Sequence, residues 1–420
     1  MVFRVKALLL LLVVLPCPTL SLAQAALFAR PAAARRNRSV LFVLHDAGET
    51  FALSAAIHKL VAGNVRVKVL PLGQPADDVA RCRGQPAGCK PLPATTLREL
   101  GVHFHIVDGT AGRGQLLPTT AMQVLRRALR PNLVVTGMNY AMQLQIGRAL
   151  RSACGASFVA YFDSLRLLGS DSDIPATLQR SFATHCDEVW IPSRTLWPTS
   201  SAWGSKYRVV GQPTLQEWRR LREQVGILRA ARERLFGKEA AAMGSPAAIW
   251  FGGYGPGYEE ALRSWCMAAK SLNASGAIPG LRFALSSHPG NSYKLFDRSV
   301  LRDQGVEDLV VVVPSDIPGN VAALACNLTA SQGSTGGVQS IFAGKPALFL
   351  DPVRAFRNSD SLGVRIGLIP SLHSASEAVE AVRAVARAGW SVDTEKLASA
   401  GVPPHANQQV VGAVRRLLVP

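Results

Sequence analysis

Apolar and polar positions along this chain follow two rhythms in turn. Short runs of Val, Ile, Leu and Phe, bounded by turn residues, alternate with longer stretches in which apolar residues recur every three or four positions. The runs at 39–44, 65–70, 103–107, 131–136, 158–162 and 186–192 predict six strands. After the first, Leu53, Ala56, Ile57 and Leu60 share one face of a helix predicted over 51–61. A second helix is predicted over 120–129, with Arg126, Arg127 and Arg130 at its dipole-complementary end. Strand, helix, strand in this order builds a doubly wound parallel sheet. The chain then breaks sharply at Gly211-Gln212-Pro213, and 215–244 reads as one long Arg/Glu helix. The rhythm restarts with strands at 247–251, 281–286, 310–313, 328–331 and 347–350 and helices at 259–272 and 322–325, and a helix over 408–418 ends the chain. The fold class predicted is α/β: two doubly wound domains facing across a cleft. The parts are a first domain at 39–212, a linking helix at 213–244, a second domain at 245–403 and a C-terminal helix at 404–420.

The stretch 328–352 carries the most specific chemistry. A buried strand runs into Gln332, Gly333, Ser334, Thr335, Gly336 and Gly337, and Val338, Ile341 and Phe342 then fall on one helical face. Free N–H groups at a helix start, its positive dipole end and two hydroxyls make an anion site where glycine permits close approach. In the first domain the turn 45–50 follows the first strand, where open α/β sheets bind ligands. Asp46 there is a candidate base, and equally an N-cap with Glu49 three residues on. Asn139, Asp163 and Gly253 lie at further strand ends and, with Glu49, are candidates for lining the cleft. Asp171-Ser172-Asp173 has a metal-like spacing but reads as a solvated turn, and no Cys-x-x-Cys or His-x-x-x-His pair suggests zinc, so no metal is expected.

Composition changes the picture in three ways. The chain has 420 residues, 48% apolar and 18% charged, which excludes general disorder and suits two cores. Its net charge is +18, but the first forty-five residues hold six bases and no acid, leaving +12 spread over Arg-rich helices. That pattern does not indicate a nucleic-acid partner; a phosphorylated or carboxylated substrate accounts for it as well. Residues 1–25 read as a secretory signal peptide, with a basic start, an apolar run and small-residue cleavage sites. This implies the ER/Golgi lumen or an extracytoplasmic location, with no stable membrane span once the leader is cleaved; an organelle transit peptide is the alternative. Cys82 and Cys89 bracket a turn-rich loop that could close as a disulfide. Of the sequons at Asn37, Asn273 and Asn327, Asn273 is the expected acceptor.

Three ordered stretches resemble the GT-B superfamily of nucleotide-sugar glycosyltransferases and UDP-N-acetylglucosamine 2-epimerases. Val210-Gly211-Gln212-Pro213 is similar to its interdomain hinge. Ser287-His288-Pro289-Gly290 resembles the His-Pro motif that bacterial sialyltransferases and polyol-phosphate transferases place against the donor phosphate. The stretch from Ser331 to Gly337, followed by Gly344-Lys345-Pro346, is similar to the family's Ser-Thr loop. The resemblance implies Rossmann-like domains, the first for an acceptor and the second for a nucleotide-sugar donor. It implies a metal-independent glycosyltransferase moving a sugar, or a sugar or polyol phosphate, to a glycan, lipid or polyol. The nucleotide sugar is then a co-substrate and no cofactor is needed. His288 and Asp46 are the implied catalytic residues, and Gln332 to Gly337 the implied donor-phosphate loop. A non-catalytic binding or scaffold protein and an epimerase-like enzyme are the alternatives. Two departures matter: the acid-acid-glycine motif is replaced by Asp-Ala-Gly-Glu, and 338–343 offers Gln339 where the family places a ribose-binding carboxylate.

Overall fold

The computed structural model describes residues 38–84, 89–108, 110–170, 174–200, 203–204, 206–253, 255–288 and 294–419. The leader, the sequon at Asn37, the Asp171–Asp173 turn and the Pro289-Gly290 pair lie outside them. The first sheet comprises β1 (Ser39–Leu44), β2 (Arg66–Pro71), β3 (Leu133–Gly137), β4 (Ser157–Tyr161), β5 (Glu188–Ile191) and β6 (Tyr207–Val209). All pairings are parallel, in the order β2-β1-β3-β4-β5-β6. The second comprises β7 (Ala247–Phe251), β8 (Arg282–Ser286), β9 (Val310–Val312), β10 (Leu328–Ser331), β11 (Ala347–Leu350) and β12 (Ser371–Leu372), in the order β12-β11-β10-β7-β8-β9. The two-residue period of a strand explains why both sheets are covered on both faces. In β1, Val40, Phe42 and Leu44 join Leu53, Ile57 and Leu60 of the helix Ala47–Ala62. Leu41 and Val43 face the opposite way, against Met122, Leu125 and Ile146.

Two expectations are corrected. Residues 103–107 are not a strand of the sheet. The edge they would occupy beside β2 is already taken, since Val69 N donates to Pro93 O at 3.0 Å and Thr95 N to Val69 O at 2.8 Å. The Gln115 side chain serves 103–107 instead, accepting from Val107 N and donating to His105 O, each at 2.9 Å. The sixth strand is β6. The expected linking helix is three helices, Pro213–Arg222, Val225–Phe236 and Lys238–Ala242, the last two separated by Gly237 at φ +85°. Trp218, Ala231 and Leu235 fold back onto Ala247 and Ile249 of β7, which one straight helix could not do.

The helix Ala406–Leu418 returns to the first domain, where Val410, Val411 and Val414 close the β1 core. At this crossing Gly211 has φ +80°, and a Cβ there would lie 2.9 Å from Ala406 Cβ and 3.1 Å from Pro403 O. Cys82 and Cys89 are joined in a disulfide. Asn273 is exposed on the helix Tyr258–Ser275, whereas Asn327 Oδ1 accepts from Ala247 N at 3.0 Å. Among the described residues no helix is long and apolar enough to cross a membrane.

Candidate functional site

In both sheets the strand order reverses beside the first strand, so a crevice opens at the carboxyl ends of β1 and β3 and again at those of β7 and β10. In the first domain, Asp46 caps the helix Ala47–Ala62, its Oδ1 accepting from Glu49 N at 2.8 Å. Its Oδ2 accepts from Asn139 Nδ2 at 3.2 Å, so the cap also reaches across the crevice to the end of β3. Glu49 does not line the cleft as expected; it is fully buried beneath it. Its carboxylate folds back to accept from His45 N at 3.0 Å, Gln143 Nε2 at 2.8 Å and Asn139 Nδ2 at 3.1 Å. Gly137 makes room for it, since a Cβ there would sit 1.7 Å from Glu49 Oε1. Asp163, at the end of β4, completes the group: a Cβ on Gly48 would lie 3.3 Å from Asp46 Oδ1 and 3.4 Å from Asp163 Oδ2.

Burial, then the charges of Asp46 and Asp163, push the proton affinity of Glu49 well above the usual carboxylate range, against the pull of its N–H donors. Asn139 is buried, and its Oδ1 has no partner among the described residues. It is an acceptor without a donor at the floor of the crevice. His45 stacks on Tyr140 with ring centroids 3.4 Å apart, and burial lowers its pKa to about 4, which keeps the imidazole neutral.

In the second domain, Ser334 caps the helix Thr335–Phe342, its Oγ accepting from Gly336 N at 3.2 Å, while Ser334 N donates to Ser331 Oγ at 3.1 Å. Thr335 is exposed at the helix start. The six residues of this loop divide by role. Gln332 is buried and turned inward, donating to Pro256 O at 2.9 Å and Asp351 Oδ1 at 3.2 Å, so its side chain is committed to the loop's own framework. Gly337 is buried because a Cβ there would come within 2.8 Å of Phe349. Gly333 and Ser334 are half-buried. His288 follows β8, on the other side of β7 from this loop, so the strands that carry the two lie about 10 Å apart, two strand spacings, with the end of β7 between them. Burial lowers the His288 pKa. Gly252 and Gly253 lie between: a Cβ on Gly252 would meet His288 N at 2.9 Å, and Gly253 packs on the Tyr258 ring. Behind His288, Ser287 Oγ and Tyr258 OH donate to the buried Asp297 at 2.6 and 2.9 Å.

Further side chains join the two halves, among them Thr214, Arg166 and Asn358, which sequence reasoning did not single out. The Gln212 amide of the hinge donates to Asp163 O at 2.8 Å and accepts from Thr214 Oγ1 at 2.7 Å. Thr214 Oγ1 in turn accepts from Gln339 Nε2 at 3.1 Å, so Gln339 binds the hinge. Leu167 N donates to Asp360 O at 2.7 Å and Leu362 N to Leu165 O at 2.8 Å, and Arg166 reaches the glycine-rich loop between them. Gln143 carried one local signal, its place three residues after a helix cap at Tyr140. Arg166 and Asn358 carried none, because their partners are distant in sequence. Among the described residues no group of three His, Cys, Asp or Glu side chains is disposed to hold a metal ion.

No protein-family model matches the chain, and no curated protein matches it by sequence. Solved structures do match. A UDP-N-acetylglucosamine 2-epimerase described from Listeria monocytogenes superposes with a TM-score of 0.63 at 12% identity, covering 90% of this chain and 95% of that one. The Neisseria meningitidis UDP-GlcNAc 2-epimerase bound to UDP-GlcNAc gives 0.61 at 14% identity, covering 90% and 100%. MurG of Acinetobacter baumannii gives 0.53 at 14%, covering 90% and 99%. At such identities the likeness establishes the fold: the chain has the two-domain α/β GT-B fold.

Proposed function

We propose that this chain is a nucleotide-sugar enzyme, and specifically a glycosyltransferase that moves a sugar, or a sugar or polyol phosphate, to a glycan, lipid or polyol acceptor. The observation that carries the reading is the opposition of two built strand-end sites in a GT-B frame: carboxylates on the first domain, a capped glycine-rich helix start and an imidazole on the second. In this reading the donor's diphosphate occupies the gap between His288 and the Gly333–Thr335 loop. The loop N–H groups and helix dipole stabilise the charge that grows on the departing phosphate, the largest electrostatic demand of the reaction. His288 enters neutral, its pKa lowered by burial, and donates one N–H to a phosphate oxygen rather than acting as the acid. Asp46 takes the proton of the acceptor hydroxyl. Glu49 is a positioning residue, holding the Asn139 amide that Asp46 shares.

An epimerase reading has its own support, because solved structures described as UDP-GlcNAc 2-epimerases superpose with TM-scores of 0.61 and 0.63, and Asp46 and Asp163 come together beside Gly48. With the leader read as a signal peptide, the transferase reading places the reaction in the secretory lumen. Thermal shift against UDP-, CMP-, CDP- and GDP-sugars tests the common premise. A rise with one nucleotide class, lost in His288→Ala with the unliganded melt unchanged, is the expected result. NMR of UDP-GlcNAc incubated with the protein then separates the readings: epimerisation at C2 without acceptor favours the epimerase, and transfer only with acceptor favours the transferase. No shift with any nucleotide sugar favours the reading as a non-catalytic binding or scaffold protein.

A further inference from the structure

Arg166 belongs to the first domain, yet its guanidinium lies on the loop of the second. Its Nη2 is 3.4 Å from Gly333 O and 3.4 Å from Asn358 Oδ1, and its plane covers the Phe356 ring at 5.4 Å. The approach depends on glycine: a Cβ on Gly333 would sit 2.7 Å from Asn358 Oδ1 and 3.1 Å from Arg166 Nη2. The buried Asn358 braces both partners, since its Nδ2 donates to Gln332 O at 3.0 Å while its Oδ1 faces the arginine. The backbone on each side of Arg166 is tied to the second domain through Leu165 and Leu167, so the side chain starts from a fixed base.

We propose that Arg166 is a donor-binding residue lent by the first domain, and that its guanidinium grips the diphosphate of a nucleoside diphosphate sugar seated on the Gly333–Thr335 loop; this rests on the nucleotide-sugar reading above. The chemistry favours an anion there. Gly333 O and Asn358 Oδ1 are neutral oxygens at the outer limit of a hydrogen bond, whereas a phosphoryl oxygen draws N–H donors to about 2.7–2.9 Å and roughly doubles their strength. Stacking on Phe356 sets the plane of a fork that matches two phosphate oxygens at once.

Calorimetry with UDP and with inorganic pyrophosphate on the full chain, wild type against Arg166→Gln and Arg166→Lys, tests this. The expected result is binding of both probes by the wild type. Arg166→Gln should then weaken UDP about tenfold to a hundredfold, the span of one charge-assisted hydrogen bond, and flatten the salt dependence of binding. Arg166→Lys should recover part of the loss, keeping charge without the fork. A merely structural latch would lower the unliganded melting temperature of Arg166→Gln and leave its UDP affinity and salt dependence at wild-type values, which overturns the proposal. Wild-type protein that binds neither UDP nor pyrophosphate overturns this inference, while the nucleotide-sugar reading is decided separately by the thermal shift with CMP-, CDP- and GDP-sugars.

Discussion

Glu49 sits where opposing tendencies meet. Burial and two neighbouring carboxylates favour its protonated form, while three N–H donors favour the ionised one. A carboxyl group whose folded-state pKa is raised contributes stability that is complete below its ordinary pKa and is lost as pH rises through the folded value. The wild type should therefore lose stability from about pH 5 upward on account of this group. Glu49→Gln should flatten that decline, while costing about 1–3 kcal/mol at pH 5 because its amide turns N–H against N–H donors. Denaturant titrations at pH 5 and 8 measure both, and equal slopes in the two proteins would refute the raised pKa. Gly137→Ala should cost about 1–3 kcal/mol through overpacking against the same carboxylate, read from the shift in denaturant midpoint. Asp46 and Glu49 were legible as a pair, because capping spacing is local. That Glu49 is the buried anchor was not, because Asn139 and Gln143 reach it from about ninety residues away, and no local pattern encodes such a meeting.

Most elements were legible for the same reason that the exceptions were not. Apolar strands announce themselves by run length, and helices such as Thr335–Phe342 by cap and period. The segment 103–107 has strand composition and no free edge to join. The helical stretch 213–244 has continuous helix propensity, but its apolar residues must wrap one domain. The two domains are joined around 212–214 by a chain of hydrogen bonds from Gln339 to Thr214, Gln212 and Asp163 O. Gln212→Ala removes its centre. The expected outcome is a loss of about 1 kcal/mol in stability and faster hydrogen exchange at 163–167 and 335–342, with the β7 and β8 amides unchanged. Exchange raised on only one side of the hinge would show that the two segments are not coupled through Gln212.

At the scale of the whole molecule, the two domains are not beads on a string, because the last helix of the chain belongs to the first core. Val410 and Val414 are fully buried against β1 and the helix Ala47–Ala62, and Arg416 pairs with Glu188, the first residue of β5, at 2.6 Å. The sequence shows an amphipathic terminal helix but not which domain it covers, since both sheets offer apolar faces of the same kind. Val414→Asp would put an unpaired charge into that contact, where desolvation leaves the carboxylate without compensation. The first domain should then open while the second keeps its own core. Hydrogen exchange should rise through 39–70 and 133–137 and stay near wild type in 247–251 and 282–286. Loss of protection spread evenly over both sheets would mean instead that the domains fold as one cooperative unit.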